Sequence, residues 1–399
     1  MGEAASLKLN RLHFMAYSNP KEKDLSFDPH VLFSEAGEVF DEPEIQTAPD
    51  NLLEVNLLIA PGVRLSPEEF AAHSEAGYLN TAADGAVMSK PFIKLLPDRV
   101  EANFDHHEDV DRWNTPSSAQ QVLNAITDPE SEIHIIIKSN KLPDGTPLLG
   151  ANMLVNDMDQ DSFTAAWLLR NAELVQYLAE NPQLPEAERL FQFVQDTGDM
   201  DRTSAYAGVY IPPERHGIMN KVFEAYTTAR TSGAYYQGDK LEQAERMEAL
   251  YNQMDKEMFN MMKGEIIPLD SDGSYDKVAE NEFVTLVHET GQQSRVQMFR
   301  DKIERFISVV NETDGKTVFS IGRATPDVLA DLPGLCDKLN ALENAKRAAL
   351  GLDEQDYVNP FGGSDLTIGS SGKGSLLTPA EVMEVSTSHF ASLELSEAA

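Results

Sequence analysis

Short apolar runs that end in polar loops, alternating with amphipathic stretches, constrain the fold of this chain more than any other feature of its sequence. The runs have the length of strands, whereas the stretches between them show the spacing of helices. Strand candidates are residues 7–17, 52–60, 100–104, 132–139 and 150–155, and helix candidates are residues 119–126 and 161–178. This order predicts an α/β fold with a mostly parallel sheet flanked by helices.

The C-terminal part of the chain contains a second, smaller α/β pattern. Its strand candidates are residues 282–289 and 316–321, and its helix candidates are residues 295–310 and 332–351. Thr378 and Glu381 have the spacing of a capping box and predict the start of a last short helix. A chain of 399 residues exceeds the usual size of one hydrophobic core, so we expect two domains.

The expected organisation has four segments. Residues 1–213 form the first α/β domain, in which the role of residues 1–95 is open. Residues 214–263 form a helical linker, residues 264–385 form the smaller α/β domain, and residues 386–399 form a flexible tail. A methionine stripe at helical spacing in the linker is typical of core filling and also fits an interdomain connector.

The charge of the chain limits its partners. It has 66 acidic and 32 basic residues, a formal net charge of −34. Nucleic-acid binding depends on Lys and Arg that neutralise phosphates, so extended contact with nucleic acid or an anionic membrane is disfavoured. A small phosphorylated substrate is compatible, because metal ions and a few cations offset the repulsion. One cysteine, no signal-peptide core and no run of about 18 apolar residues predict a cytoplasmic protein, and a homo-oligomer is left open.

The first candidate for chemistry is Asp105-His106-His107, which follows the strand candidate at residues 100–104. Groups at the carboxyl end of a parallel strand lie at the edge where α/β folds bind ligands. A carboxylate with imidazoles suits Mn²⁺, Fe²⁺, Zn²⁺ or Co²⁺. Adjacent histidines also occur by chance in loops, so the triplet needs further support.

Two acidic segments also follow apolar runs. Residues 156–162 (NDMDQDS) place three alternating aspartates after a strand candidate, and residues 196–202 (DTGDMDR) follow a third apolar run. Crowded carboxylates are costly unless they bind cations or are solvated. The first segment therefore predicts metal ligands or, alternatively, an acidic turn in which Asp161 caps the next helix. The second is expected to be an acidic loop.

Residues 362–375 are rich in glycine and serine and include Lys373. Glycines allow backbone N–H groups to converge on an anion, so this segment predicts either a substrate loop or a flexible turn. It is not a Walker A loop, because Thr367 and Gly374 stand where that motif requires Gly and Ser or Thr.

Together the Asp-His-His triplet, the alternating aspartates and the glycine-rich segment resemble the DHH phosphoesterase superfamily, with the first two motifs in permuted order. That superfamily includes manganese-dependent pyrophosphatases and phosphodiesterases of small nucleotides. The resemblance implies a catalytic domain, a linker and a smaller domain that holds substrate. The metal ligands that it implies are Asp105, His106, Asp157, Asp159, Asp161, Asp196 and Asp199.

The same resemblance implies catalytic roles for Asp105, His106 and His107, with His107 orienting the leaving oxygen. The expected substrate-binding residues are Gly362, Gly363, Ser364, Ser370, Ser371 and Lys373, with Arg323 and Arg112 holding remote phosphates. The expected cofactor is Mn²⁺, as one or two ions, with other divalent metals as alternatives.

Three functional hypotheses follow. The first is hydrolysis of a small phosphorylated or nucleotide substrate. The second is a catalytically degenerate relative that binds or senses a nucleotide or a divalent metal, since Val155 and Ser364 stand where the superfamily has histidines. The third is an interaction protein whose acidic loops are solvated. Metal binding separates the third hypothesis from the others, and turnover separates the first from the second.

Overall fold

A computed structural model describes residues 53–270, 272–313, 316–352, 360–370 and 374–397. The predicted α/β class is confirmed. The strand predicted at residues 7–17 and the substrate residues Ser371 and Lys373 lie outside the described residues. The chain divides into two compact units, of which the first comprises residues 53–110, 116–198 and 237–266, and the second takes the other described residues.

The first unit contains a five-stranded sheet in the order β1-β5-β2-β4-β3. Neighbouring strands pair in parallel except for β3, which is antiparallel to β4. The strands are β1 (Val55–Ile59), β2 (Tyr78–Ala83), β3 (Phe92–Leu96), β4 (Arg99–Phe104) and β5 (Gly150–Val155). Four strands therefore point their carboxyl ends toward the same edge of the sheet.

Helices accompany this sheet, as expected when both faces of a parallel sheet are covered. They are α1 (Pro67–His73), α2 (Ser118–Thr127), α3 (Glu132–Ser139), α4 (Gln160–Arg170), α5 (Ala172–Glu180), α6 (Pro185–Arg202) and α9 (Lys240–Lys263). The division between the units falls within α6, after Gly198. The interior strand β5, between β1 and β2, is buried along its whole length.

The strand predicted at residues 132–139 is wrong, because this segment forms α3. Its isoleucines favour strands by intrinsic propensity, but Ile133, Ile136 and Ile137 are buried at helical spacing while Ile135 is half exposed. Asn140 ends the helix in the left-handed conformation. The helix predicted at residues 161–178 is interrupted at Asn171, between α4 and α5.

The second unit contains a six-stranded sheet in the order β10-β11-β9-β8-β7-β6. Only β7 and β8 pair in parallel. Its strands are β6 (Tyr275–Glu280), β7 (Thr285–Glu289), β8 (Arg305–Thr313), β9 (Lys316–Arg323), β10 (Phe361–Gly363) and β11 (Thr367–Ser370), and its helices are α7 (Pro213–Val222), α8 (Glu224–Thr231), α10 (Ser294–Arg300), α11 (Leu332–Ala349) and α12 (Pro379–Glu397). Residues 214–263 are thus mainly helical, as predicted, with α7 and α8 in this unit and α9 in the first.

Three predictions for this unit need correction. The helix predicted at residues 295–310 ends at Arg300, and β8 follows, in which Phe306 and Ile307 face opposite sides of the sheet. The glycine-rich segment at residues 362–375 contributes to the antiparallel hairpin of β10 and β11 rather than forming only a loop. The tail predicted to be flexible from residue 386 is helical to Glu397, because Phe390 is buried in the core.

The capping box predicted for the last helix is confirmed. The backbone N–H of Thr378 donates to Glu381, and the backbone N–H of Glu381 donates to the Thr378 hydroxyl. No helix among the described residues is both long enough and apolar enough to cross a lipid bilayer.

Asp255 provides a pH-dependent test of packing in the first unit. The carboxylate of Asp255 on α9 accepts a hydrogen bond from the Trp167 indole on α4 at 2.8 Å. Burial raises the pKa of Asp255, and the charge of Arg170 only partly opposes that effect. Because the folded pKa exceeds the unfolded value, the charged carboxyl destabilises the fold above the folded pKa, and this penalty disappears at lower pH.

We therefore expect Asp255→Asn to have a higher free energy of unfolding than the wild type at pH 7. The amide keeps an oxygen acceptor for Trp167. The difference should shrink as the pH falls toward about 4, near the unfolded pKa of Asp. Urea denaturation of both proteins across this range measures it, and a difference independent of pH would contradict the assignment.

Candidate metal centre

Polar side chains follow three neighbouring parallel strands at the edge where the strands end. Asp84 comes directly after β2, Asp105 directly after β4, and Asn156 directly after β5. Because β2 lies between β5 and β4, Asp84 occupies the middle of this edge. This strand order places residues 105–107, after β4, and the loop after β5 at the same edge of the sheet. Asp84, after β2, lies between them.

Asp84, His106 and His107 form a compact group of possible metal ligands. One donor atom from each residue lies within 4.8 Å of the other two. The Nε2 atom of His107 is 2.7 Å from Oδ1 of Asp84, and the Nε2 atom of His106 is 3.6 Å from the same oxygen. His106 is fully buried, whereas the side chain of His107 is about one-third exposed. The group therefore has one side in the protein interior and one side accessible to solvent.

The backbone at Asp84 is unusual. Its φ angle is 53°, in the left-handed region, and Gly85 follows with a φ of 74°. A non-glycine residue rarely adopts this conformation, although Asp and Asn adopt it more readily than most. The turn directs the chain away from β2 immediately after Ala83 and leaves the Asp84 carboxylate beside the two imidazoles.

The histidines keep the Asp84 carboxylate ionised. Burial acts to raise the pKa of this carboxyl, but the charge of His107 and hydrogen bonds from His106 and His107 outweigh it. The net effect holds the pKa well below the ordinary value for Asp. An ionised carboxylate beside imidazoles is the form that ligates divalent ions.

Ser162 orients Asp84 from the opposite side. Its hydroxyl is buried at the start of α4 and donates to Oδ2 of Asp84 at 3.0 Å. This bond holds the second carboxylate oxygen while Oδ1 faces the imidazoles. Partners of this kind fix the orientation of metal-ligating groups.

Asp105 shapes the histidine loop through its carboxylate. Its Oδ1 accepts three backbone hydrogen bonds, from His106 at 2.7 Å, His107 at 3.0 Å and Gly85 at 3.2 Å. Its Oδ2 is buried and has no hydrogen-bond partner among the described residues. Burial raises the pKa of Asp105, and the nearby Asp84 charge adds to that effect while His107 opposes it. The carboxylate thus ties the histidine loop to the loop after β2.

Asp161 lies beside this group and also caps a helix. Its carboxylate accepts hydrogen bonds from the backbone N–H groups of Ser118 at 2.6 Å and Ala119 at 3.0 Å, in the first turn of α2. Its Oδ2 lies 3.9 Å from Nε2 of His106. The alternative that Asp161 caps its own helix is wrong, because Asp159 is the N-cap of α4 and accepts from the N–H of Ser162.

Asp157 and Asp159 do not join a three-residue ligand group within the described part of the chain. Asp157 accepts a hydrogen bond from the backbone N–H of Met158 at 2.6 Å. Asp159 is engaged in the helix cap just described. The alternating aspartates of residues 156–162 thus have different surroundings, and Asp161 is the one beside His106.

The segment predicted as a third acidic loop is helical, because residues 196–202 form the last turns of α6. Asp196, in the first unit, is buried and accepts from the Gln192 side chain at 2.9 Å. Asp199, in the second unit, accepts from Arg202 at 2.9 Å. Asp196 is on the buried side of this helix and Asp199 is partly exposed, so the apolar run before them continues as a helix rather than ending in a loop.

The predicted substrate residues of the second unit lie in ordinary structural settings. Gly362 and Gly363 are on β10, Ser364 bonds within the hairpin turn, and the Ser370 hydroxyl accepts from the backbone N–H of Phe319. Arg323 forms an ion pair with Asp365 at 3.1 Å, and Arg112 forms one with Asp201 at 3.2 Å. Both guanidinium groups therefore already carry a carboxylate partner.

The sequence interpretation missed Asp84. Its strand, YLNTAA, looks polar because it contains Asn80 and Thr81, which are buried and hydrogen bond to Asn152 on β5. The available signal was an Asp-Gly pair directly after a short run that contains Leu79 and Ala82. A strand ending in Asp-Gly, in a chain with a predicted parallel sheet, would have placed a carboxylate at the carboxyl edge of that sheet.

Comparisons with protein-family models, with curated proteins and with solved structures find no match to this chain.

Removing the Ser162 hydroxyl tests the orientation of Asp84. We expect Ser162→Ala to weaken Mn²⁺ binding by about tenfold or more, the usual cost of losing a partner that orients a ligand. Ser118→Ala is the matched control, because Ser118 is also buried in this unit and its hydroxyl has no partner among the described residues. Calorimetric titration compares the variants, and equal affinities would show that Ser162 does not support the site.

Gly198 tests how α6 packs against the start of α2. A Cβ on Gly198 would lie 2.6 Å from Cδ of Gln120 and 2.7 Å from Oγ of Ser117, which form the capping box of α2. We expect Gly198→Ala to lower stability by about 1–3 kcal/mol through overpacking. Gly362→Ala is the control, since among the described residues no heavy atom beyond Gly362 and its chain neighbours lies within 4 Å of that Cβ position. Denaturation measures the free energy of unfolding of both variants, and equal values would contradict the described packing.

Proposed function

We propose that this protein is a metal-dependent phosphohydrolase that acts on a small phosphorylated or nucleotide substrate. The observation that carries the proposal is the group Asp84, His106 and His107 at the carboxyl edge of a parallel sheet. This edge is where α/β folds bind ligands. The resemblance of the Asp-His-His triplet to the DHH phosphoesterases supplies the class of reaction.

The residues fit a divalent transition metal. One carboxylate and two imidazoles are hard and borderline donors that suit Mn²⁺, Fe²⁺, Zn²⁺ and Co²⁺. The Asp84 carboxylate is ionised, and its second oxygen is held by Ser162. We propose Mn²⁺ because of the resemblance, as one or two ions. When bound, such an ion lowers the pKa of a water ligand and offsets charge on phosphoryl oxygens.

The proposed ligand set differs from the one expected from the sequence. Asp84, His106 and His107 form its centre, with Asp161 beside His106. Asp105 is proposed as a positioning residue, since its Oδ1 accepts the backbone N–H groups of both histidines. His107 is the more exposed imidazole and is proposed to face the substrate. Asp157, Asp159, Asp196 and Asp199 are left out of this set.

A catalytically degenerate protein that binds a nucleotide or senses a divalent metal is the second candidate. The observation that favours it is Val155, which is fully buried at the end of β5 where the superfamily has its leading histidine. A valine there contributes no ligand, so a second ion would lack one donor. The two candidates share the metal site and differ in turnover. In either case we propose a cytoplasmic location, which suits a chain with one cysteine.

Metal binding tests both candidates. We expect chelator-treated protein to bind Mn²⁺ in a calorimetric titration, and Asp84→Asn and His106→Ala to lose this binding. Asp159→Asn is the matched control, because Asn is as good an N-cap as Asp and the residue lies outside the proposed ligand set. If Asp159→Asn also loses Mn²⁺, or if the wild type does not bind it, the proposed site is wrong.

Turnover then separates the candidates. We expect the Mn²⁺-loaded wild type to hydrolyse a small phosphodiester or pyrophosphate. Asp84→Asn should lose more activity than the roughly 10–100-fold cost of removing a residue outside the ligand set. Phosphate release over a panel of such substrates measures this. Tight Mn²⁺ binding without any turnover would favour the sensor.

A further inference from the structure

Arg64 joins the two loops that carry the proposed metal ligands. Its Nε donates to the carbonyl oxygen of Gly85 at 3.2 Å, and its Nη2 forms an ion pair with Glu108. Gly85 follows Asp84 directly, and Glu108 follows His107 directly. The guanidinium therefore contacts the residue directly after a proposed ligand on each loop.

The Arg64 side chain is accessible. Its exposed fraction is 47%, and that of the Glu108 side chain is 34%. Nε and Nη2 make the contacts described, and the other guanidinium donors of Arg64 have no partner among the described residues. A guanidinium has five N–H donors in a fork that matches two oxygens of a phosphate. A surface ion pair of this exposure contributes little to stability, about 0–1 kcal/mol.

The exposed Arg64 matters for anion binding because the protein as a whole is strongly acidic. The chain has 66 acidic and 32 basic residues, so an anion approaching the molecule meets mostly repulsion. A second cation, Lys240, lies against the segment after β1 that contains Arg64. Its Nζ is 3.3 Å from the Cβ position of Gly62 in this segment. Arg64 in the segment after β1 and Lys240 at the start of α9 therefore place two cations at this segment.

We propose that Arg64 binds a phosphoryl group of the substrate and that Glu108 holds the guanidinium until the substrate displaces it. The inference rests on the proposed function for its substrate class. Glu108 thus acts as an internal anion that competes with the substrate for Arg64. The arginine lies on the first unit beside the metal group, whereas the arginines suggested by the sequence, Arg112 and Arg323, lie on the second unit.

Inorganic phosphate is the probe for this inference. Its affinity is measured by calorimetry for the full chain, with and without Mn²⁺. We expect Arg64→Gln to weaken phosphate binding by about tenfold, the loss of a charge-assisted bond, while Mn²⁺ affinity is unchanged. Arg64→Lys should recover part of the affinity, because an ammonium keeps the charge without the fork. Glu108→Gln should bind phosphate severalfold more tightly than the wild type.

The Lys138–Glu180 ion pair supplies matched controls. It joins α3 and α5 of the same unit, and both side chains are exposed. Lys138→Gln and Glu180→Gln change the net charge as the test variants do, so we expect both to bind phosphate as the wild type does. Equal effects at the two pairs would show a general charge effect and overturn the proposal.

The outcomes for the two proposals are distinguishable. Wild-type phosphate affinity in Arg64→Gln, or no tightening in Glu108→Gln, overturns the role of this pair while Mn²⁺ binding still supports the hydrolase. Failure of the wild type to bind Mn²⁺ removes the hydrolase, and Arg64-dependent phosphate binding in that metal-free protein still supports the anion site. Thermal unfolding of each variant confirms that it is folded, and Glu108→Gln keeps the test decisive if Arg64→Gln does not fold.

Discussion

Three carboxylates are buried at one edge of the first sheet, and the local structure is arranged around the need to compensate them. Asp84, Asp105 and Asp161 each expose 8% or less of their surface. An uncompensated buried charge costs several kcal/mol, which is a large part of the net stability of a domain. Imidazoles and a hydroxyl compensate Asp84, and the first turn of α2 compensates Asp161. Three backbone N–H groups compensate Asp105 only in part, since burial still raises its pKa. The loops, the helix start and the histidines are therefore mutually dependent.

The parallel core could be predicted from the sequence where burial coincides with apolar composition. β4 and β5 end directly before polar loops, and their order in the chain was sufficient to place residues 105–107 and 156–162 near one edge. β2 could not be identified in this way, because the side chains of Asn80 and Thr81 hydrogen bond to the neighbouring β5 and make a buried strand look polar. Asp84, which follows that strand directly, was therefore missed.

The errors at α3, α6 and β8 have one physical origin. A short apolar run has nearly the same composition in a strand and in a helix, and only the side that it buries distinguishes them. In α3 the burial repeats at helical spacing, and in β8 successive residues face opposite sides of the sheet. Acidic residues after such a run carry no information about which structure holds them. Asp196 in a helix and Asp157 in the loop between β5 and α4 therefore looked alike in the sequence.

The left-handed backbone at Asp84 restricts how this site can change over evolutionary time. Few residue types adopt a φ of 53° without strain, and besides Asp they are chiefly Asn and Gly. The substitutions that the backbone accepts most easily are therefore the ones that remove the charge. A lineage could lose the proposed metal ligand in one replacement and retain the fold. The conformation that positions the carboxylate also makes descendants without the proposed metal ligand easy to reach.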